Sequence, residues 1–127
     1  MSEVVLDASA LLAFLNQEKG SEIITQYLDR SAMSSINLSE VIAKLVERNI
    51  PEDVIRELFS QLKIDIIPVD QEQAVTAGFL RSQTRSAGLS LGDRICLALG
   101  LQLNLPVLTT DRAWEKVSLS IEVRLIR

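Results

Sequence analysis

Apolar and polar residues follow two rhythms along this chain. Val4-Val5-Leu6 is an unbroken apolar triplet, as in a short strand buried on both faces. From Ala8 to Leu15 the apolar residues fall at helical spacing and stop near Asn16. Ser21 opens a second helix with Ile23, Ile24, Tyr27 and Leu28 on one face, and Ala32 to Ser35 is a strand candidate. Asn37 is predicted to open a helix to about Arg48, with Leu38, Val41, Ile42 and Leu45 inward. Pro51 suits the first turn of the next helix, whose stripe is Val54, Ile55, Leu58, Phe59 and Leu62. Ile64 to Val69 reads as a strand, and Asp70 caps a long helix to about Ser86 that Gly88 ends. Ser90 opens the helix Leu91 to Leu103, and Pro106 precedes the strand Val107–Thr109. A helical turn around Trp114 leads to a last strand, Ile121–Leu125.

Strands alternating with helices predict an α/β fold. The expected form is a three-layer α/β/α sandwich around a mostly parallel sheet of four or five strands, with right-handed crossovers. No internal repeat, low-complexity tract or linker interrupts the pattern, so residues 1–127 read as a single domain.

Composition narrows the chemistry. The chain is 47% hydrophobic and only 4% aromatic, so its core is aliphatic. The apolar stretch from Ile95 to Val107 is broken by Gly100, Gln102, Asn104 and Pro106 and is too short to span a bilayer. No basic region followed by a long apolar segment opens the chain, and Cys96 is the only cysteine; both point to a cytoplasmic protein with a buried free thiol. There is no histidine. That removes Ser-His-Asp and Cys-His catalysis and histidine zinc sites. The net charge of −4 argues against a nucleic-acid partner until its distribution is read. Residues 1–63 hold ten acids and six bases, whereas residues 64–127 hold seven of each. Acids that bind a metal also do not count as bare charge.

Four acids share one kind of place. Asp7 closes the first strand and Asp111 comes just after the strand ending at Thr109, while Glu40 and Asp93 fall in the expected first turns of helices. Each alone has a plain structural reading. Asn37-x-x-Glu40 and Ser90-x-x-Asp93 fit the capping-box pattern, and Asp7 and Asp111 can each cap the helical turn next to them. Asp70-x-x-Gln73 is such a cap and stays outside the site. The joint occurrence carries the functional reading, because parallel strands bring all four acids to one C-terminal edge. An oxygen-only set suits Mg²⁺ or Mn²⁺ and phosphodiester hydrolysis, in which metal activates water and stabilises charge on the phosphate. Ser9 and Thr109, each two residues from an acid, are candidates to orient a carboxylate or a water.

The segments Leu6-Asp7-Ala8-Ser9, Asn37-Leu38-Ser39-Glu40-Val41, Gly88-Leu89-Ser90-Leu91-Gly92-Asp93-Arg94-Ile95-Cys96 and Pro106-Val107-Leu108-Thr109-Thr110-Asp111 together resemble the PIN-domain family, in its VapC-like toxin form. The resemblance covers essentially the whole chain, with the motifs in the family's order. It implies a Mg²⁺- or Mn²⁺-dependent endoribonuclease leaving 3′-hydroxyl and 5′-phosphate ends. It maps the family's acids onto Asp7, Glu40, Asp93 and Asp111, and its hydroxyls onto Ser9 and Thr109. Asp7, Glu40 and Asp93 are expected to hold one ion, with Asp111 completing it or helping a second. It further implies a homodimer held inactive by a small antitoxin protein whose C-terminal segment covers the active-site groove. Arg94 and Arg112 are candidate contacts to RNA phosphates or, equally, solvated surface arginines.

Two alternatives stay open at this point. A phosphoacceptor receiver domain also gathers acids and Mg²⁺ at strand ends, but it wants adjacent acids after its first strand, where Asp7 stands alone. A non-catalytic metal- or RNA-binding module of the same fold would keep the acids without the reaction.

Overall fold

The computed structural model describes all of residues 1–127. Its sheet has five strands: β1 (Val4–Leu6), β2 (Ser31–Ser34), β3 (Asp65–Ile67), β4 (Val107–Thr109) and β5 (Val123–Leu125). They lie in the order β3-β2-β1-β4-β5, and every neighbouring pair is parallel. The helices are α1 (Ala8–Leu15), α2 (Ser21–Tyr27), α3 (Ser35–Glu47), α4 (Glu52–Gln61), α5 (Gln71–Phe79), α6 (Arg81–Thr84) and α7 (Leu91–Leu103).

Strand side chains alternate between two cores, as the pleat requires. Val4 and Leu6 join Leu11, Ile24, Val41, Leu45 and Ile55 on one face. Val5 faces the other way, with Cys96, Leu97, Leu99 and Trp114. Helices α1 to α4 therefore cover one side of the sheet and α7 the other, which makes the expected three layers. Each fully buried Leu or Ile is worth roughly 1.5–3 kcal/mol. That burial sustains strands of only three or four residues.

Strand order reverses direction at β1 and β4, which lie side by side. The chain leaves β1 towards one face through α1 and leaves β4 towards the other, where Trp114 is buried. A switch point of this kind opens a crevice at the C-terminal edge of the sheet. Receiver domains have the order 2-1-3-4-5; the different order here removes that alternative.

Several boundaries differ from the expectation. Helix α3 begins at Ser35 rather than Asn37, because Ser34 is its cap: the Ser34 Oγ accepts from the Ile36 N–H at 3.2 Å. Pro51 caps α4 from outside instead of sitting in its first turn, and Val54 is exposed rather than inward. The long helix from Asp70 breaks after Phe79 into α5, α6 and a 3₁₀ turn that Gly88 closes with φ of 70°. Leu80 and Thr84 are both buried at that bend, and the Thr84 hydroxyl donates to the Leu80 carbonyl at 2.9 Å. A threonine bonded to the carbonyl one turn back bends a helix. Strand β3 is an edge strand cut short before Pro68, which has no N–H to offer a ladder. Strand β5 likewise begins at Val123 rather than Ile121.

Candidate active site

Asp7 leaves the end of β1 and caps α1. It is 4% exposed, yet four hydrogen-bonding contacts meet its carboxylate. The Ala10 N–H donates to Oδ1 at 2.8 Å, and the Ser9 hydroxyl lies 2.7 and 2.9 Å from the two oxygens. The Thr109 hydroxyl donates to Oδ2 at 2.5 Å from the neighbouring strand. Burial still outweighs these donors and raises the Asp7 pKa to about 6, with a smaller push from the charge of Asp93.

The same two hydroxyls reach on to the loop after β4. Ser9 Oγ accepts from the Thr110 N–H at 3.0 Å, and Thr109 Oγ1 accepts from the Asp111 N–H at 3.0 Å. Ser9 and Thr109 lie 3.3 Å apart. They thus stitch the ends of β1 and β4 together. Asp111 is exposed and caps the 3₁₀ turn Arg112–Lys116 by accepting from the Ala113 N–H at 2.9 Å.

Asp93 forms the expected capping box with Ser90. The Asp93 N–H donates to Ser90 Oγ at 3.2 Å, and the Ser90 N–H donates to Asp93 Oδ2 at 2.9 Å. Its pKa is raised, chiefly by burial, with the charge of Asp111 adding to it. Four acids at one edge suggest mutual repulsion as the main perturbation, but for both Asp7 and Asp93 lost solvation is the larger cause.

Glu40 is not part of a capping box. With Ser34 as the cap, Glu40 lies in the second turn of α3, and Asn37 lies inside the helix, where it is 1% exposed. Asn37 Nδ2 donates to Glu40 Oε1 at 2.8 Å.

Asp7, Ser9, Glu40, Asp93 and Asp111 line one cleft of about 210 Å³, and Lys44 lines it with them. The donor chemistry is oxygen alone, which fits a hard cation. As the side chains stand, no three of them form a ready ligand set; Asp111 is exposed at the rim, and Glu40 is held there by its hydrogen bond from Asn37. A larger groove of about 560 Å³ is lined by Ile42, Val46, Ile50, Ile55 and Phe59. Ile42 and Val46 are each two residues from Glu40 or Lys44, hence on the other side of α3. That groove carries no acid cluster, so size and chemistry point to different places, and the chemistry favours the smaller one.

The two arginines separate. Arg112 is 71% exposed beside the cleft, 3.8 Å from Glu115. Arg94 turns to α5 and donates to the Ala77 carbonyl at 3.0 Å, with its Nε buried. Part of the Arg94 guanidinium is thus engaged in the packing of α7 on α5, whereas Arg112 stays at the surface. Sequence reading passed over Asn37 and Lys44. The spacing Glu40-x-x-x-Lys44 places a cation one turn beyond the acid and is visible in the sequence; the role of Asn37 depends on a contact fifty-five positions away.

Comparison with known proteins gives this geometry a context. The chain is 31% identical over 115 aligned positions to VapC ribonuclease Mb2780c of Mycobacterium bovis, covering 83% of this chain and 88% of that one. Ribonuclease VapC42 of Mycobacterium tuberculosis matches to the same extent. Among solved structures, the DNA-bound VapBC from Salmonella typhimurium superposes with a TM-score of 0.75 at 21% identity, over 100% of both chains. A toxin–antitoxin complex from Klebsiella pneumoniae gives a TM-score of 0.73 at 21% identity, over 94% of this chain and 99% of that one. These last two likenesses establish the fold. Residues 4–119 match the PIN domain family model, and with relatives of this identity and coverage the chain belongs to the PIN-domain family.

Proposed function

We propose that this chain is a Mg²⁺- or Mn²⁺-dependent endoribonuclease, the toxin of a VapBC-type toxin–antitoxin pair. The observation that carries the reading is the carboxylate cleft at the β1/β4 switch point, lined by Asp7, Glu40, Asp93 and Asp111 and by no histidine or cysteine. The names of the VapC ribonuclease relatives support RNA as substrate.

In this reading Asp7, Glu40 and Asp93 hold the ion, and Asp111 completes it or helps a second. The bound ion supplies an activated water and charge neutralisation on the transferring phosphate. Thr109 and Ser9 fix the rotamer of Asp7 through the hydrogen bonds described above, so that its oxygens meet the ion without searching. The amides at the start of α7 favour the negative charge of Asp93. Lys44 and Arg112, at the rim of and beside the cleft, are the basic groups that contact RNA phosphates.

The partners belong to the same reading. VapBC complexes among the structural neighbours support a small antitoxin protein as inhibitor. A homodimer is supported by Val75 and Phe79, which stand one turn apart on α5 and are 50% and 79% exposed. No helix is long and apolar enough to cross a membrane, and residues 1–127 act as one domain in the cytoplasm.

The test is cleavage of RNA by the purified protein with Mn²⁺. Activity is expected to vanish in EDTA and in Asp7→Asn, and to leave 3′-hydroxyl and 5′-phosphate ends. A folded protein that binds RNA or Mn²⁺ and cuts nothing is the non-catalytic module instead.

A further inference from the structure

Asn37 sits at the junction of α3 and α7. Its Nδ2 donates to Glu40 Oε1 at 2.8 Å and to the Gly92 carbonyl at 3.1 Å. Both acceptors are oxygens, which sets the orientation of the amide: turned over, its own oxygen would face two others. The price is a buried Oδ1 with no partner. An unpaired buried acceptor destabilises a fold, and a residue needed only to fill space here would be apolar.

Gly92 is a second, independent sign. It lacks the positive φ that marks Gly20 and Gly88, so its backbone conformation does not call for glycine. What does is the Glu40 carboxylate lying against its Cα: an added Cβ would stand 2.8 Å from both Glu40 Cδ and Oε1. Asn37 thus holds Glu40 from one side, and the bare Gly92 leaves the space that the carboxylate occupies. The next residue is Asp93.

We propose that Asn37 and Gly92 are positioning residues that seat the Glu40 carboxylate against the first turn of α7 and so fix its spacing to Asp93 for one divalent cation. The inference rests on the metal-dependent reading above and adds that the Glu40–Asp93 spacing is preset by the protein before an ion arrives. Neither residue touches the ion. Loss of such an orienting contact typically weakens metal affinity about 10–100-fold.

The test compares wild type, Asn37→Leu and Gly92→Ala by calorimetric titration with Mn²⁺, with thermal melting in EDTA and cleavage rate against Mn²⁺ concentration. Alanine fits a regular helix, and the three atoms nearest its added Cβ all belong to the movable end of Glu40. Gly92→Ala should therefore melt near the wild-type temperature in EDTA while binding Mn²⁺ about 10-fold or more weakly. Asn37→Leu should weaken Mn²⁺ to a similar extent, and saturating Mn²⁺ should restore most cleavage in both variants. A merely structural role moves the melting temperature and leaves the Mn²⁺ affinity alone; wild-type Mn²⁺ affinity in a folded Asn37→Leu overturns the proposal. If Asn37→Leu does not fold, Gly92→Ala decides by the same criterion. A wild type that binds no Mn²⁺ overturns the metal-dependent reading itself, and this inference with it.

Discussion

The hydroxyl of Thr109, at the end of β4, donates to the buried carboxylate of Asp7, at the end of β1, across 2.5 Å. The two residues are 102 positions apart in the chain. They meet because β1 and β4 are parallel neighbours in register, Leu6 beside Leu108. The contact explains how a carboxylate with almost no exposure is tolerated: burial is offset in part by donors whose positions the sheet has already fixed.

The Asp7 pKa gives a pH dependence with a definite sign. Its folded value of about 6 lies above the ordinary aspartate value of 3.8. Between those values the folded state holds more protons than the unfolded one, so stability falls as pH rises from about 4 to about 6. Above that window both states are ionised and the penalty is constant, at up to about 3 kcal/mol. Metal-free protein should therefore melt at a lower temperature at pH 7.5 than at pH 4.5. Asp7→Asn removes the buried charge, so in EDTA it should melt above wild type at pH 7.5 and lose most of this slope, while losing cleavage. Thermal melts of wild type and Asp7→Asn across that range in EDTA decide it; a difference between the two that does not change from pH 4.5 to 7.5 contradicts the assignment.

Thr109→Val keeps the shape of the strand residue and removes its hydroxyl, with the contacts to Asp7, Ser9 and the Asp111 N–H. Asp7 loses a donor and the Asp111 N–H loses its acceptor. The cost should be about 1–3 kcal/mol, with activity falling about 10–100-fold. Thr109→Ser restores the hydroxyl and should recover most of both. Equal activity in the valine and serine variants would show that the hydroxyl does not orient Asp7.

Asp93→Asn should abolish cleavage and sharply reduce stabilisation by Mn²⁺, because ligands that bind only the folded state raise its stability in step with their affinity. In EDTA the variant should melt slightly higher than wild type, since a partly desolvated charge is gone. The gain should be smaller than for Asp7→Asn, because Asp93 is less buried and its charge is favoured by the Ser90 N–H and the α7 terminus. Paired melts with and without millimolar Mn²⁺ measure both effects. Equal metal shifts in wild type and variant would remove Asp93 from the ion's ligands.

Phe79→Glu tests the proposed homodimer. Phe79 is 79% exposed, so the change disturbs no core in a single copy. Wild type should sediment as a dimer at micromolar concentration and the variant as a monomer with an unchanged melting profile in dilute solution. A wild type that sediments only as monomer rules out the dimer.

Much of this architecture is legible in the sequence because it depends on short-range rules. The apolar triplet before Asp7 and the Val107-Leu108 pair after Pro106 marked β1 and β4, and Ser90-x-x-Asp93 marked the start of α7 to the residue. The acids at strand ends could be grouped because parallel strands share one C-terminal edge. The tertiary structure decided what depends on neighbours distant in sequence. It placed β4 beside β1 rather than at an edge, and so made the Asp7–Thr109 contact. It moved the α3 cap to Ser34, turning Asn37 from a cap into a buried bridge between Glu40 and Gly92. It turned Arg94 to the Ala77 carbonyl, and it made burial rather than mutual repulsion the main cause of the raised carboxylate pKa values. Periodicity and caps are written within a few residues of themselves, whereas solvation and hydrogen-bond partners belong to whichever atoms the fold brings near.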